Sequence, residues 1–141
     1  MTPNELLRRA GWEEGRQVAA NAWVAGLREG GFESWTGLAS MLAEYCFLVV
    51  HDAEGLRSLW IDPARAIADA DADWVAGYER SLGVRLAPVG GYSHMLLMFG
   101  RDCVFYGGFD REFGPLGLTL EEAVDGLLCR VPPVRLAMRL E

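Results

Sequence analysis

Hydrophobic positions along this chain follow a helical period first, then switch to strand-like runs. Thr2-Pro3-Asn4-Glu5 is a capping box with proline at the first helical position, which predicts a short helix to about Ala10, closed by Gly11. After Gly15, the apolar residues Ala20, Trp23, Val24 and Leu27 recur at i, i+3, i+4 and i+7, the signature of one buried helical face. Gly30-Gly31 is a suitable left-handed stop. Ser34 is placed to cap a third helix, in which Trp35, Leu38, Ala39, Leu42 and Tyr45 repeat the spacing.

The period then changes. Phe47 to His51 reads as a buried strand, Asp52 to Gly55 as a turn and Leu56 to Ile61 as a second strand, together a hairpin. Asp62-Pro63 starts a helix that runs through Ile67. Asp73 is placed to cap another, carrying Trp74, Tyr78 and Leu82 and closing at Gly83. Val84 begins a strand that Pro88 and Gly90-Gly91 end. Tyr92–Phe99 and Asp102–Tyr106 are two more, joined at Gly100-Arg101. Gly107 to Gly117 reads as a loop with a short edge strand. Thr119-Leu120-Glu121-Glu122 is a second capping box, whose helix aligns Leu120, Ala123, Val124, Leu127 and Leu128 before Pro132-Pro133 stops it.

Three helices, a hairpin, one or two helices, three strands and a last helix, mostly joined by short loops, predict an α+β fold. An antiparallel sheet carries the helices on one side, rather than the parallel sheet of a βαβ protein. The expected core holds Trp23, Leu27, Leu38, Leu42, Val49, Ile61, Leu97, Val124 and Leu127. A chain of 141 residues has the length of one domain, so residues 1–141 are read as a single unit with a C-terminal tail over 131–141.

Charge narrows the partners. Twenty acidic residues face thirteen basic ones, all arginine, for a net charge of −7. Such a surface repels phosphate backbones and anionic lipid, so nucleic acid and membranes are not expected partners, whereas a basic protein is. The opening residues lack a basic stretch followed by an apolar run, so no secretory leader is expected. The longest unbroken apolar run, Cys46 to Val50, is far too short to span a membrane. Cys46, Cys103 and Cys129 are widely spaced and set among apolar residues, which predicts free, mostly buried thiols and a reduced, cytoplasmic setting.

No catalytic constellation emerges. His51 and His94 are the only histidines, and neither they nor the cysteines fall at zinc-ligand spacing. Gly91-Tyr92-Ser93-His94 lacks the closing glycine of a nucleophile elbow, and a chain without lysine cannot form a P-loop. Asp69, Asp71 and Asp73 alternate as calcium ligands do, but Trp74 stands where the loop glycine belongs and Arg80 where the final glutamate belongs. No metal and no cofactor are therefore expected. Two features suit protein binding instead. The stretch Asp69 to Asp73 is the densest negative site, with Asp69 and Asp71 its candidate contacts. Trp60 alternates with Ser58 along a strand, which predicts an outward ring able to anchor an interface.

The segment Gly11-Trp12-Glu13-Glu14-Gly15-Arg16 resembles the opening signature of the SUKH immunity superfamily, particularly its third branch. The resemblance continues through Leu42-Ala43-Glu44-Tyr45, Ile61-Asp62-Pro63-Ala64-Arg65-Ala66, Leu82-Gly83, Pro88-Val89-Gly90, Gly100-Arg101 and Leu116-Gly117 before Glu121-Glu122-Ala123, about residues 6–128 in all. It departs where the family often has a Phe-Gly-Gly-like step and this chain reads Tyr45-Cys46-Phe47. The resemblance implies an α+β domain without enzymatic activity, which binds a cognate polymorphic toxin, such as a nuclease or deaminase, in the bacterial cytoplasm. It supplies no binding residues. Two other readings stand beside it: a regulatory or scaffolding domain of the same fold, and a small enzyme using His51 with Asp52, or His94.

Overall fold

The computed structural model describes residues 1–19 and 21–141; the predicted helical position Ala20 lies outside them. Three helices come first: α1 (Pro3–Arg9), α2 (Asn21–Glu29) and α3 (Thr36–Tyr45). The hairpin β1 (Val49–His51) and β2 (Ser58–Ile61) leads into α4 (Pro63–Asp69) and α5 (Ala72–Leu82). Four strands follow, β3 (Leu86–Tyr92), β4 (Met95–Gly100), β5 (Phe105–Phe109) and β6 (Glu112–Gly117). Helix α6 (Leu120–Val124) widens into a π-helical turn over Asp125–Cys129, and β7 (Met138–Arg139) closes the order.

Local cap chemistry sets most helix starts. Thr2 Oγ1 accepts the Glu5 N–H, the Asp62 carboxylate accepts that of Arg65, and Thr119 Oγ1 accepts that of Glu122. Each satisfies a donor that the first turn leaves without an intrahelical partner. The capping expected of Ser34 does not occur. Its hydroxyl accepts from Arg28, Trp35 holds the cap position without a side-chain bond, and α3 starts at Thr36.

The seven strands form one antiparallel sheet in sequential order, β1 to β7. One register row crosses all of them: Val49, Trp60, Gly91, Leu96, Gly108, Phe113 and Met138. Because side chains alternate across a strand, this row lies on one face. Helix α5 covers part of that face, packing Val75 and Tyr78 on Leu86, Met98, Tyr106 and Phe113. The opposite face meets α1, α2, α3 and α6, where Leu7, Leu27, Leu38, Leu42, Val124 and Leu127 close on Leu59, Ile61, Leu97 and Phe99. The helices therefore occupy both faces, not one as the connection pattern suggested.

Other differences have physical reasons. Strand β3 runs through Pro88 and Gly90-Gly91 instead of ending there. A bulge falls between Pro88 and Gly90, and β2 pairs only with Gly90 to Tyr92. Gly107-Gly108 lies inside β5, and β6 is a full strand rather than part of a loop. A side chain at Gly108 would collide with the Tyr78 ring of α5, so glycine there is a seat for an aromatic and not a turn signal. Ser93 and His94 form the β3–β4 turn, with Ser93 at φ +53°, so His94 is not within a strand. Val49, expected in the core, is 45% exposed on β1, while Trp23 is half-buried against the core. Cys46 is buried, Cys129 half-buried and Cys103 exposed, which corrects the expectation of mostly buried thiols; all three are free. Burial is the main force pushing the Cys46 thiol up to about 11, so it stays protonated.

Candidate functional site

Trp60 sits on the α5 face of β2, as its alternation with Ser58 required, but that face is closed above it. Its ring lies over Gly91, where a Cβ would enter the indole, and the Arg65 guanidinium of α4 stacks 4.0 Å from the ring centroid. Trp60 is 8% exposed, so the outward-facing ring expected from sequence is corrected. The partner across the register, Val49, is the residue left open.

Asp69 ends α4 and is exposed. Arg65 lies four residues before it, one helical turn back on the same side of α4. Asp71, not Asp73, caps α5, its Oδ1 accepting the N–H groups of Asp73 (2.9 Å) and Trp74 (3.2 Å). Asp71 and Asp73 line a cleft of about 720 Å3 with Trp74, Arg80 and Arg111. Asp69 is not among the residues lining that cleft. The structure thus puts Asp71 on the cleft, leaves Asp69 exposed outside its lining and holds Trp60 against Arg65. Among the described residues, no group of three acidic, histidine or cysteine side chains could hold a metal ion.

This geometry separates the two aspartates. Asp69→Arg should leave stability within about 0.5 kcal/mol of wild type, as a surface substitution does. Asp71→Arg should cost about 1 kcal/mol through the lost cap. Urea denaturation of both variants checks this, and equal stabilities would contradict the cap assignment.

A second polar feature was not anticipated. Asp52 is the buried charged side chain among the described residues. Its Oδ1 accepts the N–H of Leu56 (2.8 Å) and of Arg57 (3.3 Å), and Oδ2 takes the Arg57 Nε–H (3.2 Å). The same guanidinium donates through Nη1 to the Leu127 carbonyl (2.8 Å) and through Nη2 to that of Leu128. Arg57 therefore ties the β1–β2 turn to the end of the last helix, whose carbonyls lack intrahelical donors. Burial alone would raise the Asp52 carboxyl; the Arg57 and Leu56 amides and the Arg57 guanidinium outweigh it and hold it below the usual carboxylate range.

A carboxyl depressed in the folded state adds stability that is complete above its unfolded value near ~3.9 and is lost as pH falls through the lower folded value. Asp52→Asn should therefore lower the melting temperature at pH 7 and flatten its fall below pH ~4. An unchanged acid profile would show that Asp52 is not a source of that loss.

Engaged in this way, Asp52 does not orient His51, which is exposed at the end of β1. The His94 ring lies 6.2 Å from that of Phe109, at the end of β5 on the same end of the sheet. Among the described residues neither histidine makes a side-chain hydrogen bond, so no positioned acid–base pair is assembled around them.

At the N-terminus, Trp12 Nε1 donates to the Glu44 carboxylate (3.0 Å), and Arg8 stacks over the Trp12 ring. Arg16 donates to the carbonyls of Glu44 and Cys46, the last of these at 2.7 Å, and so satisfies the end of α3. Trp12 and Arg16 are thus tied to one helix terminus. A family model for the SUKH-3 immunity protein matches residues 3–129. The chain belongs to that family. No curated protein and no solved structure matches it.

Within this SUKH-3 chain Trp12 and Arg16 of the opening signature fix the N-terminal segment to the end of α3. At Tyr45-Cys46-Phe47, where the resemblance expects a Phe-Gly-Gly-like step, Phe47 takes a φ of +70° and its amide bonds the Ile61 carbonyl. A conformation suited to glycine is kept there by a non-glycine residue, braced edge-on by Trp23 at 4.5 Å between ring centroids. No described helix is long and apolar enough to cross a membrane.

Proposed function

We propose that this chain is an immunity protein that binds a cognate polymorphic toxin in the bacterial cytoplasm and blocks it by occupancy, not by catalysis. The observation that carries this reading is the match of residues 3–129 to the SUKH-3 immunity family. The net charge of −7 supports a basic toxin of nuclease or deaminase type, because opposite charge speeds encounter and disfavours wrong partners. Asp69 and Asp71, exposed at the α4–α5 junction, contribute to that attraction, with Trp60 and Arg65 as the adjoining support. The structural roles of Trp12 and Arg16 fit a family whose shared residues hold the fold while partner specificity resides elsewhere on the surface.

Growth of cells carrying an inducible copy of a toxin captured by pull-down with this chain tests the reading. Co-expression of this chain restores growth, and restores it equally for the double variant His51→Ala, His94→Ala. No rescue by the wild type would remove the immunity reading. Rescue lost in the double variant, with folding intact, would favour an enzymatic role.

A further inference from the structure

The chain after the last helix alternates: Val134, Leu136, Met138 and Leu140 are half-buried, and Arg135, Ala137, Arg139 and Glu141 between them are exposed. Three of these four apolar side chains sit on glycines of the body. A Cβ at Gly126 would collide with Val134, one at Gly107 of β5 with Leu136 and one at Gly77 of α5 with Leu140. Met138 pairs with Phe113 at the edge of the sheet. Val134 and Leu136 pack on the core under α1, α2, α3 and α6, whereas Met138 and Leu140 pack on the α5 cluster. The tail therefore wraps the β6 edge and fastens both faces of the sheet.

The body closes its core without this tail. Every buried residue among the described ones lies at or before Leu128, and the family match ends at residue 129. The tail's own hold is light. Val134 donates its N–H to the Gly126 carbonyl (2.8 Å), Leu140 donates to that of Arg111 (2.7 Å), and the ladder between them is the short β7. Half-buried side chains on a short ladder mark a segment that opens well below the free energy of global unfolding. The hinge is placed for this. Arg57 holds the Leu127 and Leu128 carbonyls just before it, Val131 is exposed, and Pro132 and Pro133 have no N–H to tie it down.

We propose that residues 131–141 are a strap that lifts as one unit about 131–133, from a body that stays folded, and bares β6 as an open strand edge. The device goes beyond the immunity reading and does not depend on it. Closed, the strap covers an edge whose N–H and C=O groups would otherwise be free to pair with an extended chain. Leu140 and Glu141 also wall the cleft that holds Asp71 and Asp73, so the same closure shapes that cleft. Open, β6 and the glycine seats accept an extended segment with apolar residues at alternate positions, the pattern that the tail itself displays.

The test is residue-resolved amide exchange on the full-length chain, with β4 as internal reference. In the wild type, the amides of Val134 and Met138 share one opening equilibrium, at least about 100-fold more populated than that of Leu97 and Met98. Leu140→Asp speeds exchange at Val134 as much as at Met138 and leaves Leu97 and Met98 at wild-type protection. Faster exchange at Met138 alone would mean fraying from the chain end, and loss of protection at Leu97 would mean a tail integral to the body; either overturns the proposal. A labelled peptide of residues 131–141 then probes the bared edge. It binds the full-length double variant Leu136→Asp, Leu140→Asp at least about 10-fold more tightly than the wild type, whose attached tail competes at roughly millimolar effective concentration. Equal or absent binding to the two proteins would overturn the open edge and the proposal with it.

Discussion

Gly90→Ala should lower the stability of the folded chain by more than about 4 kcal/mol, the range that single substitutions reach only by a severe mechanism. The mechanism is a collision with backbone. A Cβ at this position of β3 would overlap the carbonyl oxygen of Trp60 and crowd Cα of Ile61 on β2. No rotamer change relieves it, because the obstructing atoms belong to the neighbouring strand. The β2–β3 pairing, Leu59 with Tyr92 through Ile61 with Gly90, would have to separate. Gly26→Ala is the matching control, since nothing lies within 4 Å of its added methyl in α2. That change should stabilise by about 0.5–1 kcal/mol, the helix-interior difference between glycine and alanine. Urea denaturation of both proteins decides the matter, and a Gly90→Ala variant as stable as wild type would contradict the sheet register.

Leu127→Ala should cost about 2–5 kcal/mol. Leu127 is fully buried in the π-helical turn, within the cluster formed by α1, α2, α3, α6 and the sheet. Its removal leaves a cavity among Leu and Val side chains that are themselves held by several elements. The walls cannot collapse freely, because Arg57 pins the Leu127 carbonyl from the β1–β2 turn. For a chain of this size the loss corresponds to a fall of roughly 5–20 °C in melting temperature. A fall of less than about 1 kcal/mol would place Leu127 outside the core.

Local chemistry made much of this fold legible from sequence. Thr2, Asp62 and Thr119 announced their helices because a cap requires only residues three positions apart. The β1–β2 hairpin and the Gly83 helix stop were legible for the same reason. Asp71 and Asp73 offer identical cap chemistry two positions apart, so the alternating aspartates left the start of α5 undetermined by residue type alone. Gly107-Gly108 was misread because its reason is distant: the ring of Tyr78, from α5, occupies the space that a side chain at Gly108 would fill. The Trp60 ring likewise depends on Arg65 folding back across the face of β2.

The candidate site divides along the same line. Asp69 and Asp71 were visible as an acidic stretch, and their exposure follows from lying at a helix junction. The Asp52–Arg57 pair carried no signal, since its other end lies in the last helix. Its hold depends on Arg57, whose Leu127 carbonyl acceptor is 70 positions away. Periodicity cannot find a contact of that range; only the closed fold shows it.

The central claim is that this SUKH-3 chain silences a toxin by binding it. The most direct measurement is a titration of the activity of a toxin captured by pull-down with this chain, against increasing amounts of the purified chain. The account predicts that toxin activity falls linearly and vanishes at one equivalent, without any change in the substrate on mixing with this chain alone. Full toxin activity in the presence of excess chain would contradict it.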